Sequence, residues 1–383
     1  MSTTTLTVNE KHRIQTKQLE VSPRLLLGPG PSNAHPRVLQ ALSMRQVGHL
    51  DPEFIGIMNE VQQMLRYAWQ TENQLTIPVS GTGSAAMEAT VANTVEPGDS
   101  VLVGCNGYFG DRLCDMAGRY GADVHRLEKP WGQAFDLDEL RAGMEAHRPA
   151  VLMLVHAETS TGARQPLEGV SDLCKEFDCL LLLDTVTSLG GVPLFLDEWG
   201  VDAAYSGTQK CLSCPPGLGP FTLSARAVEK LQNRKSKVPN WYLDMSMVSK
   251  YWGDSRTYHH TAPINMNYGF REALRLIVEE GLEARWARHQ ATAERFWAGL
   301  ADIGLSCHVD HDIRLPSLTT VRVPDGVDAK AVARKLLLEQ NIEIAGGLGQ
   351  LAGQVWRVGL MGYNSRPDNV DRLLAALARA LGR

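Results

Sequence analysis

Strand-like and helix-like segments alternate along the first two thirds of the chain, and this alternation limits the possible folds more than any other feature. Helix-like stretches such as SAAMEATVANTV (84–95) and GVSDLCKEF (169–177) separate the strands. The strand-like runs are LTIPVS (75–80), SVLVGC (100–105), AVLMLVH (150–156), CLLLLDTV (179–186) and AAYSG (203–207). Several are apolar at consecutive positions, which is typical of parallel strands covered on both faces. The pattern predicts an α/β fold with a mostly parallel central sheet sandwiched by helices.

The last third of the chain follows a different order. Helical periodicity over residues 268–300 breaks at Gly281. After it come SLTTVRV as a strand, DAKAVARKLLLEQ as a helix, IEIAGG and VWRVGL as strands, and RPDNVDRLLAALARAL as a helix. This order predicts a smaller C-terminal α+β domain of residues 281–383, behind a large domain of residues 25–280. Residues 1–24 lack periodic hydrophobicity and are predicted to form an arm that lies across a partner subunit.

Charge and cysteine content narrow the class of protein. The formal net charge of the 383 residues is -5, without long runs of one sign, so neither nucleic acid nor an anionic membrane is an expected partner. The apolar runs are too short to span a bilayer. Seven cysteines form an odd, scattered set in a large chain, which indicates reduced thiols and a cytoplasmic location.

A glycine-rich turn lies between the first predicted strand and its helix, in VSGTGSAAMEA (79–89). The start of a helix presents unpaired backbone N–H groups and the positive end of its dipole, which favour a phosphate. A tight connection without a ligand is the alternative. The spacing is not that of a Walker loop, and the dinucleotide pattern G-x-G-x-x-G is incomplete, because Ala86 stands at its last glycine.

Two ionisable residues lie in unusually apolar surroundings. Asp184 ends the apolar run LLLLD, at the carboxyl end of a buried strand where α/β sheets bind ligands. Helix capping and metal binding are the other tasks of a strand-end aspartate. Lys210 follows the short strand AAYSG and precedes CLSCPPGLGP, a segment with almost no charge. For any single lysine a solvated surface position is the more common state, but this uncharged setting weakens that interpretation and leaves open an amine held for chemistry.

A third charged residue, Arg357, lies on the apolar strand VWRVGL, where it needs a bidentate partner. A structural ion pair and a substrate carboxylate are both possible partners. Together the motifs supply what pyridoxal 5'-phosphate requires: a helix N-terminus for the phosphate, an acid for the ring nitrogen and a lysine for the aldehyde. Cys211 and Cys214 lack a second ligand pair, so no metal site is predicted.

Several segments resemble those of the class V, fold-type I aminotransferases: LLLGPGPSN, ETSTG, SGTQKCLSCPPG, YHHTAPIN, IEIAGGLG and WRVGLMGYN. The resemblance runs from about residue 25 almost to the C-terminus. It implies the PLP-dependent fold type I and a homodimer whose active sites are shared between subunits. Within the family the chain is most similar to enzymes that transfer an amino group from alanine or serine to glyoxylate.

The same resemblance implies roles for individual residues. Lys210 would bind the cofactor and shuttle the proton, and Asp184 would pair with the ring nitrogen. Phe109 would stack on the ring in place of a tryptophan, and Arg357 would bind the substrate α-carboxylate. The other implied cofactor contacts are Thr82, Gly83, Ser84, Thr159, Val186 and Gln209, with Tyr258 and Thr261 from the neighbouring subunit. The implied substrate pocket is lined by Gly28, Gly30 and Asn33.

The expected activity is therefore PLP-dependent transamination between small amino acids and 2-oxo acids, from L-alanine or L-serine to glyoxylate. Serine–glyoxylate and ureidoglycine–glyoxylate transaminases are the alternatives, and the polar Asn265 and Asn267 have no assigned role. A nicotinamide-dependent oxidoreductase would need the missing dinucleotide fingerprint. A non-catalytic binding protein on the same fold would not need Lys210, Asp184 and Arg357 together.

Overall fold

A seven-stranded sheet forms the centre of the computed structural model, which describes residues 7–383. The strands are β1 (Leu25–Leu26), β2 (Leu75–Ser80), β3 (Ser100–Cys105), β4 (Asp123–Glu128), β5 (Val151–Val155), β6 (Ala157–Glu158), β7 (Ala163–Arg164), β8 (Leu180–Asp184), β9 (Ala203–Tyr205), β10 (Leu218–Leu223), β11 (Leu318–Arg322), β12 (Ile342–Glu343), β13 (Ala345–Gly346) and β14 (Val355–Gly359). The central sheet has the order β2-β10-β9-β8-β5-β3-β4. Six of its strands run in one direction, and β10 is antiparallel to both neighbours.

Helices cover both faces of this sheet. The helices of the described chain are α1 (Pro36–Leu42), α2 (Pro52–Trp69), α3 (Gly83–Thr94), α4 (Tyr108–Arg119), α5 (Leu137–His147), α6 (Val170–Glu176), α7 (Ala225–Gln232), α8 (Met245–Trp252), α9 (Ile264–Glu280), α10 (Leu282–Asp302), α11 (Ala329–Gln340) and α12 (Pro367–Leu381). Alternate residues of β5 enter different apolar cores: Val151 and Met153 one, Leu152 and Leu154 the other. The predicted α/β class, with a mostly parallel sheet between helices, is confirmed. Within residues 7–383 no helix is both long and apolar enough to cross a membrane.

The five predicted strands are present, but two further strands of the sheet were not predicted. Strand β4, DVHRLE, lies at one edge of the sheet, and none of its six side chains is fully buried. Its sequence therefore has no apolar run from which a strand could be predicted. Strand β10, LGPFTL, contains Gly219 and Pro220, residues that normally interrupt a strand. Pro220 lies opposite Pro78 of β2. Burial of all six residues of β10, rather than strand propensity, holds the segment extended.

The C-terminal part forms the predicted smaller α+β unit. Strands β11, β14 and β13 make an antiparallel sheet in that order. Leu300, Leu336 and Leu373, from α10, α11 and α12, lie in one apolar core with Trp356 of β14. The prediction of one strand over IEIAGG was wrong in detail: β12 pairs in parallel with β1, whereas β13 pairs with β14. The segment therefore connects two sheets.

Residues 7–23, which precede β1, are all exposed, and four of them have large apolar side chains. These are Val8, Ile14, Leu19 and Val21. The first six residues of the predicted arm lie outside the described residues. The division at residues 24 and 280 stays a prediction.

A buried cluster of charged residues joins the break between α9 and α10 to the centre of the molecule. Arg285 is 5% exposed and donates to the carbonyls of Gly190 (2.8 Å) and Cys211 (2.6 Å). Its charge is balanced by Glu280 at 2.7 Å, which also accepts from Arg288. The hydrogen bonds of Glu280 to both arginines hold its pKa at about 2, although burial alone would raise it. The cluster therefore fixes the carbonyl of the residue that follows Lys210.

We expect Glu280→Ala to lower the free energy of unfolding by about 3 kcal/mol, because it leaves a buried guanidinium without its counter-charge. Asp371→Ala is the matched control, since it removes the exposed partner of Arg295 and should cost less than about 1 kcal/mol. Urea unfolding of the two variants measures the difference. Equal losses would contradict a structural role for the buried cluster.

Candidate active site

Lys210 lies in the loop after β9, enclosed by a second loop from the N-terminal part of the chain. Its side-chain amine donates a hydrogen bond to the carbonyl of Pro29. Ser32 binds the lysine loop, since its N–H donates to the Gln209 carbonyl (2.8 Å) and its hydroxyl to the Lys210 carbonyl (2.8 Å). Gly30 has φ +110°, and a Cβ there would lie 2.7 Å from Cδ of Lys210. The loop LLLGPGPSN (25–33) therefore forms a wall beside the Lys210 side chain, and at position 30 of this wall only glycine fits.

The amine of Lys210 is suited to nucleophilic chemistry. The residue is 8% exposed, and burial lowers its pKa to about 8, with the charge of Arg357 acting in the same direction. Asp184 opposes this shift. At neutral pH about one tenth of such an amine is unprotonated, roughly two hundred times the share of a surface lysine with a pKa of about 10.4. The interpretation of Lys210 as a solvated lysine therefore does not hold.

Asp184 ends β8 and is 2% exposed. Its two carboxylate oxygens accept from the Val186 N–H at 2.8 Å and from the Tyr205 hydroxyl at 2.6 Å. Burial raises the pKa of Asp184 to about 6, whereas these two hydrogen bonds favour the ionised form. The carboxylate neither caps a helix with its side chain nor belongs to any group of metal-ligating residues within 7–383. A cationic ring nitrogen would stabilise its charge.

The phosphate turn predicted from the glycines lies where β2 meets α3. Thr82 is the N-cap of α3 and makes no side-chain capping bond. Within residues 7–383 the N–H groups of Gly83 and Ser84 have no protein acceptor. A Cβ at Gly83 would lie 3.2 Å from Cα of Gly207, so the helix start packs directly on the chain before the lysine. Free donors at a helix N-terminus fit a phosphate.

An unsatisfied atom lies beside this turn. The side-chain oxygen of Gln209 is buried and has no hydrogen-bond partner in the described chain. Buried polar atoms in native proteins are nearly always paired, so an orphaned one indicates a missing partner. Turned by about 180°, the same amide would present its NH2 donors there, and such donors suit a phosphate oxygen. Together with the helix N–H groups, the amine of Lys210 and the carboxylate of Asp184, these groups match a phosphate, an aldehyde and a ring nitrogen. The residues present therefore fit pyridoxal phosphate.

Phe109, Val186 and Thr159 occupy the remaining predicted cofactor positions. Phe109 and Val186 are half-buried and pack against the same apolar core. The hydroxyl of Thr159 lies 2.5 Å from that of Thr187. Their roles at the cofactor stay predictions.

Glu158 is a residue of the site that the sequence interpretation missed. It is fully buried, and its carboxylate accepts from the N–H of Ser160 (2.9 Å), the hydroxyl of Ser160 (2.6 Å) and the N–H of Phe109 (3.2 Å). Burial raises its pKa to about 7. The signal was present, because Glu158 directly follows the apolar run AVLMLVHA (150–157), but only Thr159 was singled out. Glu158 ties this turn to the start of α4.

Arg357 faces the site from β14. Its guanidinium donates to the carbonyls of Gly346 (2.9 Å) and Thr159 (3.4 Å), and no carboxylate of residues 7–383 forms an ion pair with it. Burial lowers its pKa to about 10, so it remains a cation at neutral pH. The structural ion pair considered from sequence is absent from the described chain. A buried cation without a counter-charge is a place for an anionic ligand.

Four other predicted positions are less directly placed at the site. The amide of Asn33 is bonded to the Leu26 N–H (2.9 Å), the Arg24 carbonyl (2.9 Å) and Asn364 (2.9 Å). This amide therefore holds the loop, and a direct substrate contact stays a prediction, as it does for Gly28. Tyr258 and Thr261 are both exposed.

Comparison with known proteins identifies related sequences along almost the whole chain. Residues 26–373 match the family model described as aminotransferase class-V. An alanine–glyoxylate aminotransferase of Rattus norvegicus is 46% identical over 370 residues, which cover 96% of this chain and 89% of the relative. A (S)-ureidoglycine–glyoxylate transaminase of Bacillus subtilis is 40% identical, covering 94% and 90%. The crystal structure of an alanine–glyoxylate aminotransferase from Nostoc sp. has a TM-score of 0.97 and 66% identity, covering 98% of this chain and all of that one.

Proposed function

The chain belongs to the class-V aminotransferases, which are pyridoxal phosphate enzymes, and we propose that it transfers the amino group of L-alanine or L-serine to glyoxylate. The products are pyruvate or hydroxypyruvate and glycine, formed in two half-reactions that use the same site. One observation carries the proposal: a buried lysine with a lowered pKa lies close enough to a buried carboxylate and to a buried arginine without an ion-pair partner that the charges of both act on its pKa. This trio suits an amino acid substrate.

The names of the relatives support the acceptor more strongly than the donor. The rat and Nostoc proteins are named for alanine and glyoxylate, and the Bacillus protein for ureidoglycine and glyoxylate. Glyoxylate is common to all three. Identity to the alanine–glyoxylate enzyme reaches 66%, against 40% for the ureidoglycine enzyme, which favours alanine or serine as donor. Ureidoglycine remains the second candidate donor.

Each residue of the site would have a distinct task. Bound pyridoxal phosphate supplies an aldehyde that condenses with amines and a protonated ring that accepts the electron pair of a substrate carbon. The amine of Lys210 would hold the aldehyde and then remove the proton from the substrate α-carbon. Asp184 would keep a proton on the ring nitrogen, and Phe109 and Val186 would bracket the ring.

The phosphate and the substrate would be held at different walls. Thr82, Gly83, Ser84 and Gln209 would bind the phosphate, through the free N–H groups at the start of α3 and through the NH2 group of the Gln209 amide. Thr159 would contact the ring edge. The loop that contains Gly28, Gly30 and Asn33 would limit the space beside Lys210, which favours small side chains on the substrate. Arg357 would bind the α-carboxylate.

Arg357→Gln is expected to raise KM for L-alanine and to lower kcat/KM by about 100-fold, because a charge-assisted bond to the carboxylate is lost. Arg357→Lys should retain part of the affinity, since the charge remains without the bidentate geometry. Steady-state kinetics with both variants check this. An unchanged KM would exclude Arg357 as the carboxylate ligand.

A donor and acceptor screen tests the proposed substrates. The purified protein is given alanine, serine or ureidoglycine with glyoxylate, and glycine and the new 2-oxo acid are quantified. We expect glycine to form fastest with alanine or serine. Fastest turnover with ureidoglycine would retain the acceptor and replace the donor, and no glycine with any donor would reject glyoxylate.

We also propose a homodimer in which Tyr258 and Thr261 complete the phosphate site of the neighbouring subunit. Support comes from the exposure of both residues and of the apolar side chains before β1. Light scattering should give twice the 42.1 kDa chain mass; a monomer that binds the cofactor fully would contradict the shared site.

A cytoplasmic location is proposed because the seven cysteines are free thiols, and fractionation of cells tests it.

A further inference from the structure

Arg112, on the first turns of α4, reaches the predicted phosphate turn from outside it. One guanidinium nitrogen lies 3.3 Å from the hydroxyl of Ser84. The guanidinium also lies over the rings of Tyr108 (5.3 Å) and Phe109 (4.8 Å). No carboxylate of residues 7–383 forms an ion pair with it. Arg112 thus brings an uncompensated positive charge to the start of α3.

The charges around the site indicate what this cation is for. A phosphate monoester carries about 1.5 to 2 negative charges at neutral pH. Two buried acids, Asp184 and Glu158, add negative charge to the same region. A helix N-terminus offers only about half a positive charge. Arg357 is bonded to Thr159 and Gly346 at another wall. Lys210 is committed to the aldehyde. Within the described chain, Arg112 is the cation that contacts the phosphate turn.

The aromatic contacts explain why the guanidinium is held in place. The backbone N–H of Phe109 donates a hydrogen bond to the Glu158 carboxylate, and this bond fixes the start of α4 beside the site. A guanidinium over an aromatic face is attracted by the ring electrons and keeps a defined plane. Arg112 therefore does not need a carboxylate to be ordered, and its remaining donors are free for an anion.

We propose that Arg112 is a binding residue for the phosphate of the cofactor, acting together with the N–H groups of Gly83 and Ser84. Ser84 would be shared between the guanidinium and a phosphate oxygen. The side chain would at the same time support the ring of Phe109. The inference rests on the proposed placement of pyridoxal phosphate at Lys210.

The test separates phosphate binding from support of the ring. The full chain is freed of cofactor and titrated with pyridoxal phosphate and, separately, with pyridoxal, which has the aldehyde and ring but no phosphate. Arg112→Gln is compared with the wild type and with Arg119→Gln, an exposed arginine of the same helix paired with Asp115. Circular dichroism of the cofactor-free variants shows whether each one is folded.

We expect Arg112→Gln to raise Kd for pyridoxal phosphate by about 10- to 100-fold, since one charge-assisted bond is lost. Kd for pyridoxal should change less than about twofold, Arg112→Lys should lie between, and Arg119→Gln should match the wild type. Equal weakening of both ligands would overturn the proposal and leave Arg112 a support for Phe109. Unchanged binding of both would also overturn it. A wild type that binds neither ligand would reject the placement of the cofactor itself.

Discussion

Lys210→Ala should lower kcat/KM by about 10⁴-fold or more, the largest effect expected of any single substitution in this protein. The variant loses the amine that holds the cofactor aldehyde and also the base that removes the proton from the substrate α-carbon. Coupled assays of the overall reaction measure the loss. Lys175→Ala is the matched control, because Lys175 is an exposed lysine paired with Asp172. Activity of Lys210→Ala within tenfold of the wild type would contradict both roles.

The lowered pKa of Lys210 adds a pH dependence to this prediction. Only the neutral amine attacks an aldehyde, and the pKa of Lys210 in the cofactor-free protein is about 8. The rate constant for uptake of pyridoxal phosphate should therefore rise with pH through about 8 and level off above it. A rate that rises only near pH 10 would indicate an ordinary solvated amine.

Asp184→Asn should lower kcat by about 10³-fold, with a smaller change in KM. The neutral amide cannot keep the ring nitrogen protonated, so the electron pair from the substrate α-carbon loses its stabilising charge. Asparagine has nearly the same shape: its side-chain oxygen can still accept from the Val186 N–H, and its NH2 can donate to the Tyr205 hydroxyl oxygen instead of accepting from it. The loss therefore measures charge rather than packing.

The pH dependence of cofactor binding is a second readout of Asp184. Because the pKa of Asp184 is about 6 in the cofactor-free protein, the carboxyl is mostly protonated below that pH and offers no charge to the ring. The affinity of the wild type for pyridoxal should fall as the pH drops through about 6. Asp184→Asn should lack this step. A kcat unchanged by the substitution, or an identical pH profile, would contradict the pairing with the ring nitrogen.

Much of the large α/β unit was predictable because its strands are apolar on both faces. The run that ends in Asp184 shows this best, since four leucines define β8 and the first polar residue marks the edge where ligands bind. Lys210 was found by contrast, as the only charge in an almost uncharged segment. Both conclusions depend on local sequence and needed no knowledge of long-range contacts.

Contacts between distant segments could not be predicted in the same way. Glu158 and Phe109 are 49 residues apart, and nothing in ETSTG indicates that its acid accepts from the start of α4. Arg112 looks like any surface arginine of an amphipathic helix until its distance to Ser84 is known. Strand β10 was missed because Gly219 and Pro220 contradict strand propensity, and its pairing with β2 bridges well over a hundred residues.

The visible absorption spectrum of the purified protein shows whether it carries pyridoxal phosphate and transfers an amino group from alanine to glyoxylate. Three spectra are recorded: of the protein alone, after L-alanine, and after glyoxylate is added to the alanine-treated protein freed of small molecules. We expect a yellow protein that alanine bleaches and glyoxylate restores, with pyruvate and glycine released in the two steps. A protein that stays colourless with added pyridoxal phosphate, or a yellow one that no small amino acid bleaches, would contradict this expectation.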